Sequence, residues 1–178
     1  MQKKLNKKKG IVLWITGISG SGKTAISKLI LNKFSKKYGR TIIFQGDELR
    51  KIFKFKDYSR QGRINNGLIY SDLLKKITDQ GINVIISVIG MFDVIRKRNR
   101  KNIENYLEIF VETNFQSVLK KTKKKHYKLK KNVVGIDIKP EFPKKPDIKI
   151  KNDLNNSLIN LSNLLLKKIS KKVKWKKE

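Results

Sequence analysis

Gly17-Ile18-Ser19-Gly20-Ser21-Gly22-Lys23-Thr24 is the stretch that decides the fold of this chain. It fits G-x-x-x-x-G-K-[ST], a loop whose glycines let backbone N–H groups wrap a phosphate. The run before it, Ile11-Val12-Leu13-Trp14-Ile15, reads as a buried strand. The run after it, Ala25 to Phe34, carries Ile26, Leu29, Ile30 and Phe34 at helical spacing. Strand, glycine loop and helix in that order predict a phosphate site at a helix N-terminus, where the positive dipole end assists the amides. In a lysine-rich chain such a pattern can also arise by coincidence; the flanking strand and helix argue against that. The expected nucleotide contacts are Gly17, Ser19, Gly20, Ser21, Gly22, Lys23, Thr24 and Ala25. Lys23 is placed to reach the outer phosphates and the Thr24 hydroxyl to hold Mg²⁺.

Bulk properties narrow the frame. A chain of 178 residues suits one domain, with a core over about residues 10–170. The absence of cysteine removes disulfides and thiolate metal sites and is compatible with a reducing cytoplasm, the expected location. Ile11–Ile15 is far too short for a membrane span or a signal core, so no membrane insertion is expected. The net charge of +30 is mostly lysine. It can be read as a polyanion-binding surface or as drift toward residues with AT-rich codons, since Lys, Asn and Ile are abundant together. Nucleic-acid readers lean on arginine forks and aromatic stacking, and neither is clustered here, so nucleic acid is not the expected partner. Attraction to anionic substrates is the expected side effect.

Strands and helices alternate along the chain. Thr41–Gln45 is a second strand. A helix follows from Arg63 to Gln80. Asn83–Ile89 is a third strand, apolar and β-branched enough to be central. Phe92 to Asn105 is a basic helix and Tyr106–Val111 a fourth strand. Phe115–Lys121 opens a short helix leading into a basic segment, Ile148–Ile150 is an edge strand, and Leu154 to Ile169 is a closing amphipathic helix. The tail from Lys171 to Glu178 is expected to fray. The pattern predicts an α/β fold, a parallel sheet with helices on both faces. Ligands in such sheets sit at the carboxyl ends of strands, which gathers Gly17–Thr24, Gly46–Asp47 and Ile89–Phe92 around one crevice.

Gln45-Gly46-Asp47-Glu48-Leu49-Arg50 follows the second strand. Phosphoryl transfer needs a carboxylate to orient or deprotonate the attacking oxygen, and Asp47 fits that role, with Arg50 to hold an anionic acceptor. Asp47 reads equally well as the N-cap of a helix.

At this point the chain resembles the adenylylsulfate kinase family. The phosphate loop, Gly46-Asp47-x-Leu49-Arg50, Tyr58-Ser59 with Arg63 and Asn66, Gly135-Ile136-Asp137, Glu141 and Pro143 to Pro146 occur in the family's order over roughly residues 10–150. The resemblance implies a P-loop kinase fold and transfer of the γ-phosphate of ATP, with Mg²⁺, to the ribose 3′-hydroxyl of adenylyl sulfate. It implies Lys23 and Asp47 as catalytic residues and Thr24 and Asp47 at the metal. Arg50, Arg63, Asn66 and Ile89 would hold the acceptor, Tyr58 would stack on its base, and a lid over about 120–134 would bring Lys124 to the phosphates through Lys124-Lys125-His126-Tyr127. A solvated charge run is the other reading of that segment.

Several positions depart from the family. Asp-Gly-Asp becomes Gln45-Gly46-Asp47, Asn-Ile-Arg-Arg becomes Asn66-Gly67-Leu68-Ile69, and Ser-Phe-Ile-Ser-Pro becomes Ser87-Val88-Ile89-Gly90-Met91. Val133 stands where the family has a Phe against the acceptor adenine; losing one aromatic face costs about 1–3 kcal/mol of base binding. These losses lie on the acceptor side, which points to an altered acceptor. A smaller pyrimidine tolerates one-sided stacking, and a neighbour of this family phosphorylates cytidine diphosphoramidate in capsule modification. Adenylyl sulfate, the sulfate-assimilation substrate, and this cytidine nucleotide both remain open, as does a homodimer. A nucleotide-regulated switch or nucleic-acid-binding P-loop protein is the competing class. Against it, Asn32-Lys33-Phe34-Ser35 fails the guanine motif, and the third strand ends Ile89-Gly90 without an acidic pair. A non-catalytic binding module is opposed by intact Lys23, Thr24 and Asp47. Trp14 is assigned to the core, and Arg96, Arg98 and Arg100 to a solvated basic face or a phosphate contact.

Overall fold

The computed structural model describes residues 3–5, 8–121 and 132–175. In chain order its elements are β1 (Lys3–Leu5), β2 (Val12–Thr16), α1 (Lys23–Tyr38), β3 (Thr41–Gln45), α2 (Gly46–Ile52), α3 (Arg60–Asp79), β4 (Asn83–Val88), α4 (Asp93–Asn102), β5 (Tyr106–Glu112), α5 (Phe115–Lys121), β6 (Ile148–Lys151), α6 (Leu158–Lys172) and β7 (Val173–Trp175). Five strands form a parallel sheet in the order β3-β4-β2-β5-β6. β2 is flush with both neighbours: Val12 lies beside Val84 and Tyr106, and Thr16 beside Val88 and Phe110. The phosphate-loop strand is therefore the middle one. β4, expected to be central, is interior but one place off centre; hydrophobicity marks a strand buried on both faces without ranking it among such strands.

Alternation along the strands splits the core in two. Val12, Trp14, Val84, Ile86, Val88, Tyr106 and Phe110 point to the face covered by α2, α3 and α4. Ile11, Leu13, Ile15, Ile85, Leu107, Ile109 and Val111 point to the face covered by α1 and α6, where Ile26, Ile30, Phe34, Leu161, Leu165 and Ile169 pack. Helices on both faces are what a parallel sheet requires.

The element boundaries differ from expectation for local reasons. α3 begins at Arg60 because the Ser59 hydroxyl accepts a hydrogen bond from the Gly62 amide at 3.0 Å, capping the helix earlier than Arg63. α6 begins at Leu158 and not at Leu154, whose φ of 69° is left-handed and cannot belong to a right-handed helix. α2 starts directly after β3 with Gln45 as its N-cap residue, so Asp47 sits in the first turn and is not the cap. The tail expected to fray is structured through Trp175: α6 runs to Lys172, and Lys3–Leu5 pairs in parallel with Val173–Trp175. Of the expected lid, Lys120 and Lys121 end α5, Val133 and Val134 are buried in the core, and Lys124 to Tyr127 lie outside the described residues.

Candidate active site

β2 ends at Thr16, and its hydroxyl donates to the carbonyl of Ile89, tying the start of the glycine loop to the segment after β4. The loop closes at Gly22, whose φ of +88° favours glycine. A Cβ at that position would stand 2.8 Å from the Asn152 side-chain nitrogen. That nitrogen donates to the Ser21 carbonyl at 3.0 Å, while Asn152 Oδ1 accepts from the Leu154 amide at 2.9 Å. Asn152, buried at the end of β6, thus holds the phosphate loop from the far edge of the sheet. Sequence reasoning missed it because Asn-Asp after a strand reads as an ordinary turn.

Lys23 opens α1 and is largely buried. Its ammonium folds back on the loop, donating to the Ile18 carbonyl at 2.6 Å and to Ser21 Oγ at 3.4 Å. Thr24 beside it is exposed. Ser19, Gly20, Gly22, Lys23, Thr24 and Ala25 line one cleft, whose opposite wall is Gln45 to Asp47 and Ser87 to Ile89. Gly17 and the fully buried Ser21 belong to the loop's framework and not to the cleft lining.

A second cleft opens between α2, α3 and the end of β4. Arg50, Arg63, Asn66 and Ile89 line it, with Trp14, Gly67, Gly90 and Phe92. Gly46, Asp47, Val88 and Ile89 belong to both clefts, which places Asp47 at their junction. The two arginines are held by carbonyl groups. Arg50 Nη1 donates to the Asp57 carbonyl at 2.9 Å, and Arg63 donates from Nε to the Tyr58 carbonyl at 2.9 Å and from Nη2 to the Asn132 carbonyl at 2.8 Å. Among the described residues neither makes an ion pair. Burial lowers the pKa of Arg63 from its ordinary value, and repulsion from Arg50 adds to that shift. Carbonyl-pinned guanidiniums that make no ion pair among the described residues are able to receive an anionic group.

Tyr58 is half exposed and does not line the cleft. Its ring lies under the Arg50 guanidinium, 4.1 Å from centroid to Cζ, with Arg63 at 5.5 Å. Val133 is buried in the core and offers no ring. The Gly-Ile-Asp signature has a local explanation. Desolvation raises the Asp137 pKa, but the amides of Val133 and Asn132 donate to its carboxylate and bring it below the ordinary value, closing the turn 133–138.

Of the arginines of α4, only Arg96 departs from a solvated face; Arg98, partly exposed, and Arg100, exposed, are paired with acidic residues. Arg96 is buried; it pairs with Asp93 and, at 3.4 Å, with Glu108, and donates to the carbonyls of Gly90 and Glu141 at 3.2 and 2.6 Å. Arg98 pairs with Asp72, and Arg100 with Glu108 and Asp147. Arg96 fixes the segment after β4 that walls both clefts, through the Gly90 carbonyl. Glu141 completes the clasp, accepting from the Asp93 amide at 2.7 Å and from Arg60 at 2.5 Å.

No group of three or more His, Cys, Asp or Glu able to hold a metal exists among the described residues. A divalent ion in the first cleft would rest on Thr24, Asp47 and substrate phosphates. That all-oxygen set suits Mg²⁺, which keeps few protein ligands. No described helix is long and apolar enough to cross a membrane.

This arrangement matches known proteins. A family model described as adenylylsulphate kinase matches residues 9–151. A cytidine diphosphoramidate kinase of Campylobacter jejuni is 38% identical over 164 residues, covering 89% of this chain and 96% of that protein. An adenylyl-sulfate kinase of Clostridium acetobutylicum is 31% identical, covering 84% of this chain and 78% of its own length. Among solved structures, a Mycobacterium tuberculosis APS kinase in complex with AMPPNP and APS superposes with a TM-score of 0.81 at 24% identity, over 91% of this chain and 98% of that one. The chain therefore belongs to the adenylylsulphate kinase family and is a nucleotide kinase with a P-loop fold.

Proposed function

We propose that the protein, as one kinase domain, transfers the γ-phosphoryl group of ATP to the ribose 3′-hydroxyl of a small nucleotide, with cytidine diphosphoramidate as the acceptor. The observation that carries the transfer is the position of Asp47 at the junction of the two clefts. A group there faces both the phosphate leaving one cleft and the hydroxyl arriving from the other. Asp47 orients that hydroxyl and takes its proton as the bond to phosphorus forms. The loop amides and Lys23 neutralise the phosphates, the ammonium exchanging its Ile18 contact for a phosphate oxygen. Arg50 and Arg63 hold the anionic part of the acceptor, and Thr24 and Asp47 are the residues that would hold Mg²⁺. When bound, Mg²⁺ supplies charge neutralisation at the phosphates. ATP as donor fits a cytoplasmic protein.

The cytidine reading is supported by the 38% identity to the Campylobacter kinase over nearly the full length of both chains. It is also supported by Val133, which offers no second stacking face to a purine. The family match and the Clostridium relative support adenylyl sulfate as the second reading. The test is ADP release with Mg²⁺-ATP and a panel of cytidine diphosphoramidate, adenylyl sulfate and plain nucleoside diphosphates. Cytidine diphosphoramidate is expected to lead in kcat/KM. Adenylyl sulfate far ahead of the rest would reverse the assignment, and no turnover of any acceptor would remove the kinase reading of the second cleft.

A further inference from the structure

Among the described residues, two buried donors of the second cleft have no protein partner: the indole Nε1–H of Trp14 and the side-chain Nδ2 of Asn66. Trp14 is fully buried and Asn66 only 7% exposed, so bulk water does not serve them. Buried N–H groups are paired in nearly all folded proteins, and an unpaired one in a ligand cleft calls for a partner on the ligand.

The backbone beside the indole carries no side chain. Gly90 lines the same cleft, has φ +47°, and a Cβ there would stand 3.0 Å from Trp14 Nε1 and Cζ2. Any side chain at position 90 would crowd the indole N–H, and the left-handed backbone favours glycine independently. Arg96 fixes the Gly90 carbonyl, so this stretch is held in place. The cleft thus presents two neutral N–H donors and two guanidiniums that make no ion pair among the described residues. Away from Asp47, these donors select a group that accepts, and the arginines favour an anionic one.

We propose that Trp14 is a substrate-binding residue whose indole N–H, with Asn66 Nδ2, donates to a non-bridging oxygen of the acceptor nucleotide's anionic tail. This rests on the reading of the second cleft as the acceptor site. It gives Trp14 a role beyond the core packing its strand position implies.

The chain has two tryptophans, Trp14 and Trp175. Trp175→Phe protein labelled with ¹⁵N therefore gives one indole N–H signal. Titration with CDP is expected to move that signal, while cytidine, which has the base and ribose but no tail, leaves it in place. A signal moved equally by cytidine overturns the assignment to the tail, and a signal unmoved by both overturns the role of Trp14. In parallel, Trp14→Phe keeps an aromatic ring, though a smaller one, and removes the N–H. Its acceptor KM is expected to rise at least about tenfold, the change for a hydrogen bond lost to a charged group, while the KM for ATP stays unchanged. An unchanged acceptor KM in a folded variant overturns the proposal; if the variant fails to fold, the indole titration decides alone. Turnover of the acceptor panel by the unaltered protein judges the kinase reading separately: turnover with an unmoved indole signal defeats this inference and leaves that reading standing.

Discussion

Asp47 shows how a single residue acquires a role from its surroundings. In sequence it serves equally as a helix cap or as a base. In the fold the N-cap position belongs to Gln45, and Asp47, in the first exposed turn of α2, faces both clefts. Asp47→Asn preserves shape and removes the proton acceptor. Its kcat is expected to fall by about 10²–10⁴-fold, the usual worth of a positioned base, with ATP affinity by calorimetry nearly unchanged; full activity would remove the proposed role. Lys23→Ala is expected to behave differently, losing at least about 10²-fold in transfer together with ATP affinity, because the ammonium addresses the phosphates themselves. The same two assays separate the variants. Asn152 was illegible in sequence because its value lies in reaching Ser21, 131 positions earlier in the chain.

At the scale of elements, the segment 132–147 acts as a strap across the acceptor side. Asp137 shapes its first turn, and Arg63 holds the Asn132 carbonyl. Glu141 fastens its second part to the N-terminus of α4 and to Arg60 at the start of α3. The Asp93 amide, and then Arg60, hold the Glu141 carboxyl below its ordinary value of 4.5. A depressed carboxyl contributes stability that is present above the unfolded pKa and is lost as pH falls through the folded one. Glu141→Gln is therefore expected to lower Tm at pH 7, with the difference from the unaltered protein shrinking in thermal melts taken at progressively lower pH below about 4.5. A difference constant with pH would mean that the charge of Glu141 is not what fastens the strap. The motif around Asp137 and Glu141 was legible as a family pattern, but its physical purpose was not, since its partners Asp93, Arg60 and Arg63 come from other elements.

At the scale of the whole molecule, two features act over long range. The first and last described strands pair with each other, so the N-terminal segment is clipped to the end of α6. Deleting residues 173–178 removes β7 and is expected to lower Tm while leaving the KM for ATP unchanged, since both clefts lie at the carboxyl ends of the main sheet. Thermal melts and initial rates on the truncated chain check both halves. The net charge of +30 draws anionic substrates toward the protein through a field that salt screens within about 10 Å at 0.1 M. Rates at rising ionic strength are expected to show kcat/KM falling while kcat holds; kcat/KM independent of salt would mean that the charge does not steer substrate.

The sequence by itself determined the alternation of strands and helices, the phosphate loop between β2 and α1, and that Gly46, Asp47 and Ile89 face that loop across one crevice. All of these follow from local periodicity and from glycine where a phosphate must approach the backbone. Tertiary structure alone decided that β2 is the middle strand and that Asp47 joins the two clefts. It also decided that Arg96 serves as an internal clasp and that Trp14, a core residue by its strand position, lines the second cleft. Each of these depends on which distant segments the sheet order brings together, and pairing across the sheet leaves no periodic trace in any one stretch of chain.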